Sequence, residues 1–326
     1  MFDFGQLLVD SQENKELWFK AEMTHRQFAS LSHKLVSADI ENEIINLDFF
    51  VNRLEKAKNL KLYEVEKWLK NSWNTENVLI QNKNIIENTG QSFAMQWAFP
   101  QAYYSTFGSL LAHFKALGYT QESHTGVLKN FALLVEHNKF PESICFYCTG
   151  GKKNYSYINI VKPVDVTSMD FDIGNLKTID NHICQFLKAT REIKLDDKAI
   201  DMKLKNIPGQ KRKNLSTAKW QKVSDATGHT TIMDLLYRNR IKANYQDIDT
   251  FNSTQFKGLE VLTNLSAVVS RLNLINETYI AKAIGIDNYE AMLNRHLKKV
   301  KNDTVKARFE TTKIIINSRP SDRSEL

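Results

Sequence analysis

The sequence predicts an all-α fold with one small inserted β-hairpin, and three observations predict it. Only 12 glycines and 5 prolines interrupt 326 residues, too few for a turn-rich sandwich or barrel. Apolar residues recur at three- and four-residue spacings through most of the chain. Alternation with period two is confined to one stretch, at about residues 142–166.

The length is roughly that of two ordinary domains, and 42% hydrophobic with 25% charged residues is a plain globular balance. From Glu16 to Trp73, Leu17, Phe28, Leu31 and Leu35 and then Ile40, Ile44, Leu47, Val51 and Leu54 mark two or more amphipathic helices. A separate helix is expected from about Val78 to Phe93 through Ile85 and Ile86, with Gly90 a weak point in it.

Pro100 then opens the clearest helix, with Tyr103, Phe107, Leu110, Leu111, Phe114 and Leu117 on one stripe and Gly118 as its stop. Thr120 or Ser123 caps the next helix, which ends before Pro141.

SICFYC and NYSYINIV, joined by TGGKK, read as the two arms of the hairpin, which must pack on the helices to be stable. Helix resumes from about Leu176 to Ile193, and DDKAIDMKLKNIPGQKRKN is expected to be an exposed connection. A helix to about Ala226 is closed by Gly228. Thr230 or Thr231 caps the next, a long helix covers about Gln255 to Ile275, and shorter ones reach Lys301. The closing SRPSDRSEL is expected to fray. The organisation this suggests is an N-terminal helical region at 1–95, a helical core with the inserted hairpin at 97–276, and basic helices with a tail at 277–326.

The net charge of +7 is uneven. Residues 188–222 carry eleven Lys/Arg against four Asp/Glu, and residues 295–326 nine against four, which leaves the remainder at −5. Two basic segments on an acidic body suit a polyanion, because each cation set against a phosphate releases condensed counterions; a solvated linker and tail is the bland alternative. No apolar run approaches a membrane span, the nearest being interrupted by Arg271. The first residues lack a basic stretch followed by an apolar one, and three cysteines fit a reducing compartment, so a cytoplasmic location with no membrane association is expected.

Two stretches carry a resemblance. QAYYSTFGSLLAHFKALGY followed by ESHTGVLKNF is similar to the signature of the HEPN family, in which an AYYAMFHAA-like helix precedes a THxGVI-like helix start. Downstream, LLYRNRIKANYQDIDTF resembles that family's last core helix, where an Arg precedes a small residue, an Asn or Asp, and a Tyr. The resemblance covers about 130 residues and leaves the first 95 and last 50 unaccounted for. It implies an up-and-down bundle of four or five helices and a homodimer in which the last-helix arginines face a shared cleft. It also implies RNA as ligand, metal-free cleavage with no cofactor, and a place in an anti-phage defence or toxin-antitoxin module with a partner protein.

The family's catalytic pattern is Arg, four to six residues, then His, and its chemistry is intelligible. An RNA 2′-hydroxyl must lose a proton, the leaving oxygen must gain one, and a guanidinium can hold the phosphate oxygens meanwhile. Here Arg238 and Asn239 begin the pattern, but Ala243, Asn244 and Tyr245 stand where His belongs. Arg238, Asn239 and Tyr245 are therefore the catalytic candidates, with Arg240, Lys242, Lys211, Arg212 and Lys213 as nucleic-acid contacts. Arg238 and Lys242 share a helix face and Arg240 lies away from them. In the alternative, Arg238 pairs with Asp247 or Asp249 and only closes the bundle, and the protein is an inactive scaffold that dimerises or docks a partner.

Arg26 and His33 also fit the spacing, but chance supplies about one such pair in a chain of this composition. Cys145 and Cys148 have zinc-knuckle spacing, and His182 and Cys184 could complete four ligands; a strand burying Ile144, Phe146 and Cys148 explains the same residues without metal. TGGKK lacks P-loop spacing and opens no helix, so a tight turn is sufficient. His113 and His124 read as structural or capping residues.

Overall fold

The computed structural model describes residues 12–89, 95–152, 154–161, 176–206, 214–246, 248–252 and 257–318. The chain is mostly helical, with one small antiparallel sheet. Its helices are α1 Gln12–Ser37, α2 Ile40–Ile45, α3 Leu62–Thr89, α4 Ala98–Ala116 and α5 His124–Glu136. After the strands β1 Tyr147–Thr149 and β2 Ser156–Ile158 come α6 Leu176–Asp201, α7 Thr217–Thr227, α8 Ile232–Ile241 and α9 Ile248–Asn252. The last three are α10 Gly258–Ile284, α11 Ile286–Leu297 and α12 Asp303–Asn317. Phe49–Arg53 and Lys242–Gln246 are π-helical turns, and Met95–Trp97 is a 3₁₀ turn leading into α4.

Helix α3 runs unbroken where two helices are expected. Val65, Leu69, Trp73, Leu79 and Ile86 stay on one buried face across Val78, so tertiary packing carries the helix through its polar middle. It lies antiparallel to α4: Asn82 donates to Gln101 at 2.9 Å near one end, and Lys115 meets Glu64 at 3.5 Å near the other. Gly108 permits the closeness, because a Cβ there would stand 3.3 Å from Ser72 and from the Trp68 carbonyl. Helix α10 packs across α1, α3 and α4, which explains its apolar text: it is a core helix, not a span. No helix among the described residues is long and apolar enough to cross a membrane. One core cluster draws on residues from Ala21 to Ile315.

A polar network crosses that core. Arg308 of α12, fully enclosed, donates to Glu76 of α3 at 2.8 and 2.8 Å and to Glu277 of α10 at 3.0 and 2.7 Å. Glu277 also accepts from Trp73 at 2.9 Å and Tyr289 at 2.6 Å, and Glu76 from Asn273 at 3.0 Å. Every carboxylate oxygen is thereby satisfied, the condition under which buried charge is tolerated. The chain of bonds continues through Ser109 and Asn276 to His113, whose Nδ1 lies 3.2 Å from the Asn276 carbonyl oxygen.

The hairpin is pinned from behind. β1 pairs with β2, with Cys148 opposite Tyr157, and Cys148 also exchanges backbone hydrogen bonds of 2.9 Å with Thr230. Gly150 turns the hairpin at a φ of +87°, where a Cβ would collide with the Asn154 carbonyl. Arg191 of α6, fully buried, donates to the carbonyls of Gly150 and Gly228, each at 2.6 Å, and to the Ser224 hydroxyl at 3.1 Å. One guanidinium therefore ties the hairpin to α6, to α7 and to the start of the α7–α8 connection.

The segment DDKAID is not an exposed connection but the last turns of α6. Leu195 and Ala199 bury against Val223 of α7, and Asp196 holds Lys152 at 2.6 Å and Lys205 at 2.5 Å.

Candidate functional site

Helix α8 starts on a capping box, in which the Thr231 and Asp234 side chains each hold the other's backbone N–H. Asp234 also accepts from Lys194 at 2.7 Å, which fixes the helix against α6. Its last turn carries Tyr237, Arg238, Asn239 and Arg240, and the helix packs on α4 and α5.

The two arginines face different surroundings. Arg238 reaches α6, where Nη1 donates to the Thr190 hydroxyl at 3.1 Å. Arg240 turns to the tyrosine-rich helix: its guanidinium carbon sits 5.0 Å from the Tyr104 ring centre, 5.5 Å from Tyr237 and 5.7 Å from Tyr103. All three are within cation–π range. No ion pair of Arg240 with a carboxylate is found among the described residues, and its Nε is shut from solvent without a hydrogen bond. It is a cation held by rings, with no acid at contact among the described residues.

His124 closes the same cluster from the first turn of α5, where Ser123 is the capping residue and accepts from the Gly126 N–H at 3.1 Å. Its ring lies 4.6 Å from Phe107, 5.5 Å from Tyr103, 5.8 Å from Tyr237 and 6.1 Å from Tyr104. Nδ1 is 2.7 Å from the Tyr103 hydroxyl, the one hydrogen bond that the His124 ring makes among the described residues. Burial, and then the Arg240 charge, hold the imidazole below its ordinary value, so it is neutral at physiological pH. Burial pushes the Tyr103 hydroxyl up, so it remains a protonated hydroxyl and a fixed partner for Nδ1. An arginine and a neutral histidine with one ring nitrogen unused thus share one tyrosine cluster.

The other expected residues fall elsewhere. Asn239 is buried and donates to its own helix at the Leu235 carbonyl, 3.0 Å away, so it lines no surface. Tyr245 is 71% exposed on the π-helical turn, and Lys242 is half-buried at the start of that turn. Lys211, Arg212 and Lys213 lie outside the described residues, as do Asp247 and the Asp249 side chain. Arg26 is held by Glu22 of its own helix at 2.7 Å, and His33 is exposed beside Ser37. His113 is fully buried.

The cysteines and His182 do not converge. The Cys145 thiol donates to the Phe140 carbonyl, Cys184 to Val161, and His182 Nδ1 lies 3.0 Å from the Ser30 hydroxyl. The described residues form no group of three or more side chains suited to a metal ion. Much of the basic patterning is also committed to structure: Arg191, Lys194, Arg295 and Arg308 all have acceptors within the fold.

His124 is the site residue that pattern reading discounts. A spacing rule looks for its arginine on the same helix, whereas this one comes from α8 about 115 positions later. The available signal is a histidine directly after a capping serine, one helix on from a tyrosine pair. Comparison with family models, curated proteins and solved structures finds no match.

Proposed function

We propose that this chain is an RNA-binding protein with a HEPN-like helical core, and that the Arg240–His124–tyrosine cluster is where it holds a phosphate of the strand. The observation that carries the reading is Arg240: a half-buried arginine over three tyrosine rings with no acid at contact among the described residues, next to an imidazole whose Nε2 has no hydrogen bond among them. A guanidinium poised this way binds phosphate oxygens in preference to a compact hydrated ammonium.

In its enzymatic form the proposal needs no metal. His124 Nε2 takes the proton of a 2′-hydroxyl while that oxygen bonds to the adjacent phosphorus. The bond to the 5′ oxygen breaks, and that oxygen is protonated by the imidazolium, leaving a 2′,3′-cyclic phosphate and a 5′-hydroxyl. Arg240 neutralises charge on the phosphate between the two proton transfers. Such an activity fits a toxin or anti-phage effector working as a homodimer with a partner protein, and cell toxicity abolished by Arg240→Ala would be its signature.

Binding is tested directly with single-stranded RNA over a salt series. Log affinity should fall with log salt at about 0.7 per phosphate neutralised, and Arg240→Ala should reduce that slope by about that amount. A wild-type protein without salt-dependent affinity removes the proposal. The absence of His after Arg238 favours a second reading, a scaffold without chemistry, which predicts RNA cleavage products in neither wild type nor His124→Gln.

A further inference from the structure

Two large aromatic rings stand in solvent beside the Arg240 cluster. Trp97 is 53% exposed and Tyr245 71% exposed, and among the described residues neither meets another ring or a cation. Trp97 caps the start of α4, seven residues before Tyr104. Seven residues are nearly two full turns, so the two share a helix face about 10 Å apart along the axis. Tyr104 is the ring directly under the Arg240 guanidinium, at 5.0 Å. Tyr245 lies five residues beyond Arg240 on the Lys242–Gln246 turn, which packs against both the Met95–Trp97 turn and α4. Trp97, Tyr245 and the Arg240 cage therefore belong to one ridge, with charge at one end and exposed rings at the other. The adjoining Gln96 carbonyl oxygen is shut off without a hydrogen bond, leaving an unmet acceptor beside the rings.

We propose that Trp97 and Tyr245 form a base-stacking ledge, and that the ligand of this site is single-stranded RNA with splayed bases, its phosphate on Arg240. The inference rests on the RNA-binding reading above and goes beyond it in naming strand state and the residues that read it. Exposed aromatic rings accept any unpaired base face, whereas paired bases in a duplex keep their faces stacked on one another. The charge at the cage supplies the complementarity to a backbone that an apolar partner surface would lack.

The test is fluorescence anisotropy with a short labelled RNA, as a single strand and as the annealed duplex, across a salt series. The single strand should bind more tightly than the duplex. Trp97→Ala and Tyr245→Ala should each weaken the single strand by roughly 5- to 150-fold, the range of one lost stacking contact, with the salt slope unchanged. Trp97→Phe should retain most of the affinity. Both rings are exposed, so the variants should melt with the wild type. If strand and duplex bind equally and both alanine variants match the wild type while Arg240→Ala still lowers the slope, the ledge is wrong and the phosphate site stands. Alanine variants that lose self-association and keep RNA affinity would overturn the ledge too, in favour of a protein-docking face. A wild type that binds no RNA takes the parent reading with it.

Discussion

Replacing Arg308 with methionine tests whether the core depends on its buried charge network. The guanidinium gives four hydrogen bonds of 2.7 to 3.0 Å to two carboxylates, which have no other cation at contact among the described residues. Removing one partner of a buried ionic group costs about 3–5 kcal/mol, and one cation here serves two anions, so the upper end is expected. Against a total of about 5–15 kcal/mol that is a large share, read as a fall in the urea midpoint at constant slope.

The pH profile provides a second check. With Arg308 gone, two buried carboxylates share the interior without the cation that bridges them. The folded state then binds an extra proton, so the deficit should shrink as pH falls toward 5. Adding Glu76→Gln and Glu277→Gln to Arg308→Met removes the charge and keeps carbonyl acceptors for Trp73, Tyr289 and Asn273. It should restore about 2 kcal/mol or more. An Arg308→Met protein within about 1 kcal/mol of wild type, with the same pH profile, would refute the reasoning.

Two further outcomes follow from buried groups. Burial holds His113 at about 4 against an ordinary 6.5, so it folds neutral. Its contribution is complete above about 6.5 and is lost as pH falls toward 4, by about 3 kcal/mol. His113→Gln should flatten stability against pH in that window, and an unchanged slope would exclude His113 as the cause. Burial also pushes Cys145, Cys148 and Cys184 up to about 12, 11 and 12, so native protein should react with an aromatic disulfide reagent roughly a hundredfold or more slowly than urea-unfolded chain. Rapid modification of any of the three without denaturant would contradict their enclosure.

How legible the molecule was in its sequence varies by element. The stripe from Tyr103 to Phe114, the Gly118 stop, the caps at Ser123 and Thr231 and the hairpin are local signals, and the structure places them within a few residues of expectation. The continuity of α3 and the length of α6 were not legible, because Trp73 and Leu195 keep those helices going through partners far away in the chain. Helical spacing separates Arg238 from Arg240 correctly but cannot say which meets α4. That depends on how α8 is rotated on the bundle. Glu76, Glu277 and Arg308 look like ordinary surface charges until three distant helices bring them together; the hint was a carboxylate within the buried stripe of Trp73 and Leu79.

Helix α8 is only ten residues long, and two of them set its azimuth. Arg238 grips a hydroxyl on α6 while Arg240, about 200° around the axis, rests on rings of α4. One residue added or removed within α8 between Asp234 and Arg238 would swing its last turn by about 100° relative to the first, unseating the grip and the stack together. The helix works as a key cut on two edges, Arg238 seated on Thr190 and Arg240 on the rings of α4, so its rotation is held from both sides.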